Sequence, residues 1–425
     1  MSLLVAYLML SMGPLIQALL LTLQTWENRR FIRSCFENQP LPGQKGRVAV
    51  IAPCKGIDVN FRNNLARVLE QDQPNYEVVF VVDSVDDPAY PVLESLIAEH
   101  PHTLARIVVS GPAKLCSQKI HNLRYAIKQL DESVQFFAFV DSDALPRHDW
   151  LRRLVRRLGR NGASASTSYR WFVPQRNTFP NLLLASLDHS LAPLVGPRMH
   201  HLVWGGSWAI RRDVYESIGL DDAWSAALSD DLVASRMLAS VRAWVQFEPL
   251  AMAASPLDVT WGEMFEFVRR QFAVVRWHEP RWWMTGLLLS VMNQAFFWAS
   301  AVGGLILLAC GLPLAQPLLA VSALIYVTHV YRALLRQSAA KIFVPDHAER
   351  LAAARRFDLA LHPLASILNV AGLLGSAWGR DIRWRGVQYT QRRDGAVARA
   401  QRDSLPIRSF QTQRQAAPAR SRRAA

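Results

Sequence analysis

The chain has 425 residues, of which 51% are hydrophobic and 19% are charged. This length exceeds that of one average domain, and the composition is too apolar for a wholly soluble protein. The same figures exclude a disordered chain, a collagen-like chain and a small scaffold held by disulfides.

The positive charge is concentrated at the C-terminal end. The sequence carries 48 basic and 34 acidic residues, a net charge of +14, and residues 391–425 contribute +7 of it through nine Arg and two Asp. Because the remaining excess is spread thinly along the chain, we expect no nucleic-acid partner. Residues 391–425 are predicted to be a basic, disordered tail attracted to anionic lipid headgroups.

The first candidate element is an apolar run from Leu3 to Leu23, followed by charged residues from Glu27 to Arg30. The run is long enough to cross a hydrocarbon core of about 30 Å. It lacks the basic start and small-residue exit of a cleaved signal peptide. We therefore interpret residues 1–26 as a transmembrane anchor and, from the basic flank, place the domain that follows in the cytoplasm.

Residues 45–260 alternate short apolar strands with amphipathic helices, which predicts an α/β domain with a mainly parallel sheet. Buried parallel strands are typically continuous runs of β-branched and aromatic residues. Four such runs are Val48–Ala52, Glu77–Val82, Arg106–Ser110 and Phe136–Val140, and the helical stretches between them are 60–71, 89–100 and 117–130.

The C-terminal part is predicted to be membrane-associated. Residues 261–283 are aromatic and basic, as in an amphipathic segment at the lipid headgroups. Residues 284–380 form the predicted transmembrane region, with spans at 284–310 and 318–331. The segment 357–378 contains Asp358 and Pro363 and precedes a basic stretch, so we interpret it as re-entrant or interfacial.

Acidic residues stand where an α/β sheet binds its ligands, at the carboxyl ends of strands. Asp83 follows the second predicted strand, and Asp141 and Asp143 follow the fourth. Two carboxylates so close repel each other unless they share a cation, and Mg²⁺ or Mn²⁺ bridging a diphosphate would resolve that repulsion. A turn in which Asp143 caps the next helix is the structural alternative.

A third acidic pair, Asp230 and Asp231, begins a helical run. Taken alone, this pair is typical of a solvated helix N-terminus stabilised by the helix dipole. Its place among the other acidic segments favours a functional role.

Several short segments occur in a fixed order between about Val48 and Trp277. They are 55–58 with 63–65, 86–89, 118–123, 205–207 with 211–214, and 229–231. In this order they resemble the Lys-Gly-x-Asp, Asn-Asn-Leu, Asp-Asp-Pro-Ala, Pro-Lys-Ile-Asn-Asn-Leu, glycine-rich and Glu-Asp motifs of family 2 glycosyltransferases with a GT-A fold. The similarity is to the ceramide glucosyltransferase-like branch of that family.

The resemblance implies a Rossmann-like GT-A domain that moves a hexose, with glucose as the first candidate, from a UDP-sugar to a hydroxyl of a membrane lipid such as ceramide, with inversion. It implies Asp231 as the general base beside Asp230, and Mg²⁺ or Mn²⁺ held by Asp141 and Asp143. The residues that it assigns to the nucleotide sugar are Lys55, Asp83, Lys119 and Asp141.

The branch also carries a Gln- or Arg-x-x-Arg-Trp signature on an interfacial helix, and the resemblance implies that its basic side chain reaches the diphosphate and its Trp borders the acceptor. Here Arg276 and Trp277 are present, but Ala273 stands where Gln or Arg is expected. Arg270 and Gln271 lie nearby and out of register. A juxtamembrane belt of basic and aromatic residues is the alternative interpretation of this segment.

Two other functions remain open from the sequence. A processive polysaccharide synthase of the same fold would add sugars repeatedly, whereas a non-catalytic membrane scaffold would keep only a vestigial nucleotide-binding domain. The full set of acidic clusters favours an enzyme. The identity of the lipid acceptor is left open among ceramide, diacylglycerol, a sterol and a hopanoid.

Overall fold

The computed structural model describes residues 2–37, 44–159, 162–195, 202–392 and 394–402. They form two compact units. The first, the helical unit, takes its residues from Met1–Pro40, Tyr169–His201 and Val259–Gly379. The second, the α/β unit, takes them from Leu41–Ser168, Leu202–Asp258 and Arg380–Ala425.

The helices are α1 (Ser2–Glu37), α2 (Phe61–Leu69), α3 (Ala89–Glu99), α4 (Gln118–Ile127), α5 (Trp150–Val155), α6 (Phe179–Leu191), α7 (Arg212–Ser217), α8 (Leu220–Trp224), α9 (Asp230–Ser240), α10 (Trp261–His278), α11 (Pro280–Ala309), α12 (Ala315–Phe343) and α13 (Leu351–Gly375). The strands are β1 (Arg47–Pro53), β2 (Tyr76–Val82), β3 (Leu104–Val109), β4 (Val134–Val140), β5 (Ala165–Thr167), β6 (Arg170–Pro174), β7 (Ser207–Arg211), β8 (Val245–Phe247), β9 (Ala253–Leu257), β10 (Asp381–Trp384), β11 (Val387–Gln391) and β12 (Val397–Arg402).

The α/β unit is built on a seven-stranded sheet with the order β3-β2-β1-β4-β7-β5-β8. β1 pairs in parallel with β2 and β4, β2 pairs in parallel with β3, and β7 runs antiparallel to β4 and β5. Alternate residues of a strand point to opposite faces. Thus Ala49 and Ile51 enter one hydrophobic core and Val48 and Val50 the other, so both faces of β1 are buried. The predicted α/β fold with a mainly parallel sheet is confirmed.

The sheet brings the predicted acidic segments to one edge. Asp83 and Asp141 directly follow β2 and β4, which flank β1 in the sheet. In the register of β4 with β7, Val140 lies opposite Ser207. The Asp141 amide donates to the Gly206 carbonyl at 3.3 Å, so the glycine-rich segment lies beside the strand-end acid.

A second, three-stranded antiparallel sheet, β10-β11-β12, also belongs to the α/β unit. Its inward side chains Ile382, Tyr389 and Val397 are buried. The prediction of disorder from residue 391 is therefore wrong for the described part of the tail. In β12 the charged side chains are interspersed with small or apolar ones, of which Val397 is buried. The high arginine content of the segment hides this pattern in the sequence. The remaining tail, 403–425, lies outside the described residues.

Among the described residues, the helical unit contains four helices long and apolar enough to cross a membrane: Leu4–Glu37, Pro280–Ala309, Ala315–Phe343 and Leu351–Gly375. α12 packs against α1 and α11, and α13 packs against α6, α10, α11 and α12. α13 is kinked at Leu361, two residues before Pro363, because proline cannot complete the helical hydrogen-bond ladder.

The domain boundaries differ from those predicted in two places. The described residues of 169–195, which include β6 and α6, cluster with the helical unit rather than with the predicted domain 45–260. The described residues between Arg380 and Arg402 cluster with the α/β unit. Both assignments depend on packing between distant parts of the chain, which local sequence patterns do not encode.

Candidate active site

The site is built around Lys119, in the first turn of α4. Its Nζ lies 2.7 Å from Asp141 Oδ1 and 3.2 Å from Asp230 Oδ2, and it donates to the Gly205 carbonyl at 3.1 Å. Burial alone would lower the pKa of Lys119, but the nearby carboxylates outweigh burial and raise it. Lys119 is therefore a fixed cation that links the acid after β4 to the acid pair of α9.

Gly205 makes this link sterically feasible. A Cβ at this position would lie 2.7 Å from Asp230 Oδ2 and 2.8 Å from Lys119 Nζ. A side chain at 205 would displace the ends of these two side chains, so the glycine permits their close approach.

Asp230 and Asp231 have different surroundings although they are adjacent. Asp230 is buried, and burial raises its pKa to about 7; Lys119 opposes that shift, whereas Asp231 and Asp141 add to it. Asp231 is half-buried, and its carboxylate accepts hydrogen bonds from the amides of Gly205 at 3.1 Å and Leu232 at 2.8 Å. Ser229 caps α9 and donates to the Asp231 carboxylate as well. The Asp231 side chain is thus oriented by backbone amides.

Asp83 forms a second cluster after β2. Its Oδ2 lies 2.5 Å from both Lys55 Nζ and Arg402 Nη1. Burial would raise the pKa of Asp83, but the hydrogen bonds and charges of the two cations hold it below its usual value. Asp83 is therefore ionised at neutral pH, with cations from the start of the domain and from its last described strand.

A third cluster lies beside the strand-end pair Asp141 and Asp143. Asp58 Oδ1 lies 2.5 Å from Arg385 Nη2, and Asp58 Oδ2 accepts from the hydroxyl of Ser142 at 2.6 Å. Burial opposes the charged form of Arg385, but Asp58, Asp143 and Asp141 raise its pKa. Arg385 occupies the turn between β10 and β11 at a φ of 52°, a left-handed conformation that is uncommon for a non-glycine residue.

The model of glycosyl transferase family 21 matches residues 9–397. The chain belongs to glycosyl transferase family 21. The resemblance to ceramide glucosyltransferases that the motifs indicated is confirmed.

The family 21 protein is similar to curated ceramide glucosyltransferases over short stretches. It is 39% identical over 69 residues to a ceramide glucosyltransferase of Komagataella phaffii, covering 16% of this chain and 14% of the relative. It is 31% identical over 103 residues to ceramide glucosyltransferase 1 of Caenorhabditis elegans, covering 23% and 21%. The matched stretches thus span less than a quarter of either relative.

Among solved structures, the family 21 protein is similar to a mannosyltransferase from Pyrobaculum calidifontis in complex with GDP-Man and Mn²⁺. The two chains are 16% identical with a TM-score of 0.45, over 87% of this chain and 97% of the other.

The α/β unit of the family 21 protein brings most of the predicted site residues into three clusters. Lys119 contacts Asp141 and Asp230, while Lys55, rather than Lys119, contacts Asp83. Arg276 and Trp277 lie on α10 in the helical unit, where Arg276 donates to the carbonyls of Ala377 and Gly379. Their predicted role at the diphosphate and acceptor stays a prediction.

Two site arginines were missed by sequence reasoning. Arg385 and Arg402 both lie in the C-terminal sheet and contact Asp58 and Asp83, respectively. In the sequence they are two of many arginines in a basic segment. The Arg385-Gly386 pair was the one local signal, because it marks a hairpin turn between two short strands.

The donor set of Asp141 and Asp143 fits a divalent cation. Burial raises the pKa of Asp141, Lys119 opposes the shift, and Asp143 adds to it through like-charge repulsion. The described residues contain no group of three or more His, Cys, Asp or Glu side chains arranged to hold a metal. Two carboxylates that leave the remaining positions to phosphate and water suit Mg²⁺ or Mn²⁺ rather than a structural zinc.

Proposed function

We propose that the family 21 protein transfers a hexose, with glucose as the first candidate, from a UDP-sugar to a hydroxyl group of a membrane lipid, inverting the anomeric carbon. The observation that carries the proposal is the contact of Lys119 with both Asp141 and Asp230. It places the acid expected to face the diphosphate beside the acid pair expected to face the acceptor, as a direct transfer requires.

The nucleoside of the donor is assigned to the Asp83 cluster. An ionised carboxylate accepts hydrogen bonds from the N–H and O–H donors of a nucleoside. Lys55 and Arg402 hold that carboxylate in the charged form and in one orientation.

The leaving group is assigned to the edge of the sheet after β4. Asp141 and Asp143 would hold Mg²⁺ or Mn²⁺, which when bound supplies positive charge to the departing diphosphate. Arg385 is a cation of the chain itself at this edge, and it stabilises the negative charge that develops as the bond to the sugar breaks.

Asp231 is assigned as the general base. The acceptor oxygen forms a bond to the anomeric carbon as the bond from that carbon to the diphosphate breaks, and the hydroxyl proton passes to the Asp231 carboxylate. Attack from the face opposite the leaving group inverts the carbon. The amides of Gly205 and Leu232 keep the carboxylate in one orientation for this step.

A lipid acceptor is supported by the four helices that could span a membrane and by the names of the curated relatives, which are ceramide glucosyltransferases. Ceramide is therefore the first acceptor to test. From the interfacial helix, Arg276 is proposed to reach the diphosphate and Trp277 to border the acceptor. The basic residues Arg29, Arg30 and Arg33 after the apolar part of α1 support a cytoplasmic α/β unit.

The base assignment is tested with purified full-length protein, ceramide and UDP-glucose, by measuring UDP release and, separately, binding of the UDP-sugar. Asp231→Asn should lower turnover by about 10²- to 10⁴-fold and leave UDP-sugar affinity unchanged, because the amide cannot take the proton. Asp222→Asn removes an exposed carboxylate on α8 and is the matched control, expected to retain full activity. Normal turnover in Asp231→Asn would refute the assignment.

A further inference from the structure

A cavity of about 320 Å³ lies within the helical unit, between side chains of α1, α6, α10, α11, α12 and α13. Much of its wall is apolar, including Leu21, Leu187 and Leu289. Polar side chains enter it from three facing helices: Asn293 from α11, Arg332 from α12, and Asn369 from α13. Apolar walls with a few convergent polar groups are typical of ligand sites.

Arg332 is a buried cation without an acidic partner. It is 6% exposed, and its Nε donates to the hydroxyl of Thr25 at 3.3 Å. Within the described part of the chain, no carboxylate lies within 4.0 Å of its guanidinium, and the cavity is lined by neither Asp nor Glu. A buried charge in a membrane-embedded bundle is normally paired.

Asp358, the acid on the neighbouring helix, is already used. Its carboxylate accepts from Arg336 Nε at 2.9 Å, from Gln337 at 2.8 Å and from the hydroxyl of Ser186 at 2.7 Å. Arg332, Arg336 and Asp358 together therefore carry one net positive charge.

His329, one turn before Arg332 on α12, also lines the cavity and is 4% exposed. Its Nδ1 is itself buried away from the cavity, so the case for a ligand depends on Arg332. The ring of His362 packs edge-on against the ring of His329, with 5.1 Å between the ring centroids. An unpaired buried cation is costly, and a ligand with acceptor oxygens in the cavity would pair with it.

The depth of Arg332 indicates where such a ligand would sit. Its contact, Thr25, lies just after the apolar run of α1 and just before the charged residues that start at Glu27. Residues at this transition lie near the headgroup level of a bilayer. The Arg332 end of the cavity is therefore expected near the level of the lipid phosphates.

We propose that this cavity binds the headgroup of an anionic, phosphate-bearing membrane lipid, with Arg332 as the main contact. The phosphate neutralises the net charge, the polar side chains donate to its oxygens, and the acyl chains lie along the apolar walls. The proposal goes beyond the proposed function, because a hydroxyl-bearing acceptor such as ceramide is neutral and would leave Arg332 unpaired.

The test uses full-length protein purified in a neutral detergent. Phosphatidylglycerol, phosphatidylcholine, ceramide and inorganic phosphate are each added, and the unfolding midpoint and the lipid retained in native mass spectrometry are measured. Of the four additives, only phosphatidylglycerol should raise the unfolding midpoint and be retained in native mass spectrometry. Stabilisation by ceramide instead, or by inorganic phosphate alone, would overturn the proposal, as would equal effects of all four.

Variants separate the charge from the fold. Arg332→Met should weaken phosphatidylglycerol binding about tenfold or more, and in the absence of lipid it should unfold at a higher temperature than the wild type, because an unpaired charge is removed. Arg332→Lys should retain part of the binding, and this variant keeps the test decisive if the methionine variant does not fold. Lys341→Met removes an exposed charge from the same helix and should bind phosphatidylglycerol like the wild type. If Lys341→Met lost as much affinity for phosphatidylglycerol as Arg332→Met, the result would contradict the proposal.

Discussion

Asp230 and Asp231 show how one turn of helix gives two carboxylates different chemistry. Asp231 is held by backbone amides at the start of α9, whereas Asp230 is buried against Lys119. Burial raises the pKa of Asp230 to about 7, so this group gains its charge near neutral pH. Its ionisation controls how fully Lys119 is paired.

The pH dependence of turnover follows from that pKa. Below about pH 7 Asp230 is protonated, Lys119 loses one of its two partners, and we expect turnover to fall as the pH is lowered. In Asp230→Asn the side chain at 230 is uncharged at every pH, so turnover of this variant should not fall as the pH is lowered through 7. At basic pH the variant should be as slow as the wild type is well below pH 7. A profile of UDP release against pH checks this, and an unchanged limb in the variant would assign it to another group.

Arg385 is expected to matter for turnover more than for donor affinity. Arg385→Met should lower kcat by about 10²-fold, the usual cost of losing one charge-stabilising group, and Arg385→Lys should recover part of it. Arg383→Met, on the exposed side of β10, is the control and should leave kcat unchanged. The assignment fails if Arg385→Met and Arg383→Met behave alike in steady-state assays.

Among the elements, the C-terminal sheet most clearly joins a late segment to the candidate site. The Tyr389 hydroxyl accepts from the Gln118 amide at 3.0 Å, at the start of α4, and Arg402 contacts Asp83. Removing residues 392–425 should therefore weaken UDP-sugar binding about tenfold, or about 1.4 kcal/mol, in calorimetry.

Removal of residues 403–425 alone is the matched control for that truncation. It keeps β12 and Arg402, so donor binding should be unchanged, and membrane association should weaken only slightly because the long helices anchor the protein. Equal donor affinity in both truncations would exclude a role for β12.

The helices between Val259 and Gly379 connect two parts of the α/β unit. Because one folded unit lies on one side of a bilayer, the chain must cross an even number of times between these parts. We propose that α11 and α12 are the crossing pair and that α13 is re-entrant or interfacial, as predicted for 357–378. The kink at Leu361 is compatible with that proposal.

That topology makes a labelling prediction. Cys310 is exposed at the end of α11, so in sealed membranes a membrane-impermeant maleimide should reach it only from the side opposite the α/β unit. A cysteine placed at the exposed Glu349, before α13, should react from the same side as the α/β unit. Labelling of both positions from one side would contradict the pairing of α11 with α12.

The elements differ in how readable they were from sequence. The central strands were predicted almost to their ends, because a strand buried on both faces is a continuous apolar run: Phe136–Val140 was predicted and Val134–Val140 is observed. β12 was missed because its residues are charged at the exposed positions. The buried contact of Arg336 with Asp358 joins two different helices, α12 and α13, across 22 positions of the chain. No local sequence pattern indicates that these two residues meet.

At the scale of the whole molecule, the basic residues behind the net charge of +14 have several different roles. The amino-acid composition does not distinguish these roles. Arg385, Arg402 and Lys119 form contacts with acidic groups in the candidate site, whereas Arg332 lines the cavity of the helical unit. The acids of the site could be predicted because they follow strands or begin a helix. Lys55 and Lys119 were assigned through the family resemblance, whereas Arg385 and Arg402 could not be predicted, because they come from a sheet distant in sequence from the acids that they contact.

We propose that one hexose passes from a nucleotide sugar to a membrane lipid. This transfer is tested by the mass spectrum of lipids extracted after the full-length protein is incubated with UDP-glucose and ceramide, with and without EDTA. We expect a lipid heavier by one hexose, formed only when divalent metal is present and absent with Asp231→Asn. A ladder of repeated additions, or UDP-sugar binding without any glycosylated lipid from any acceptor tested, would contradict it.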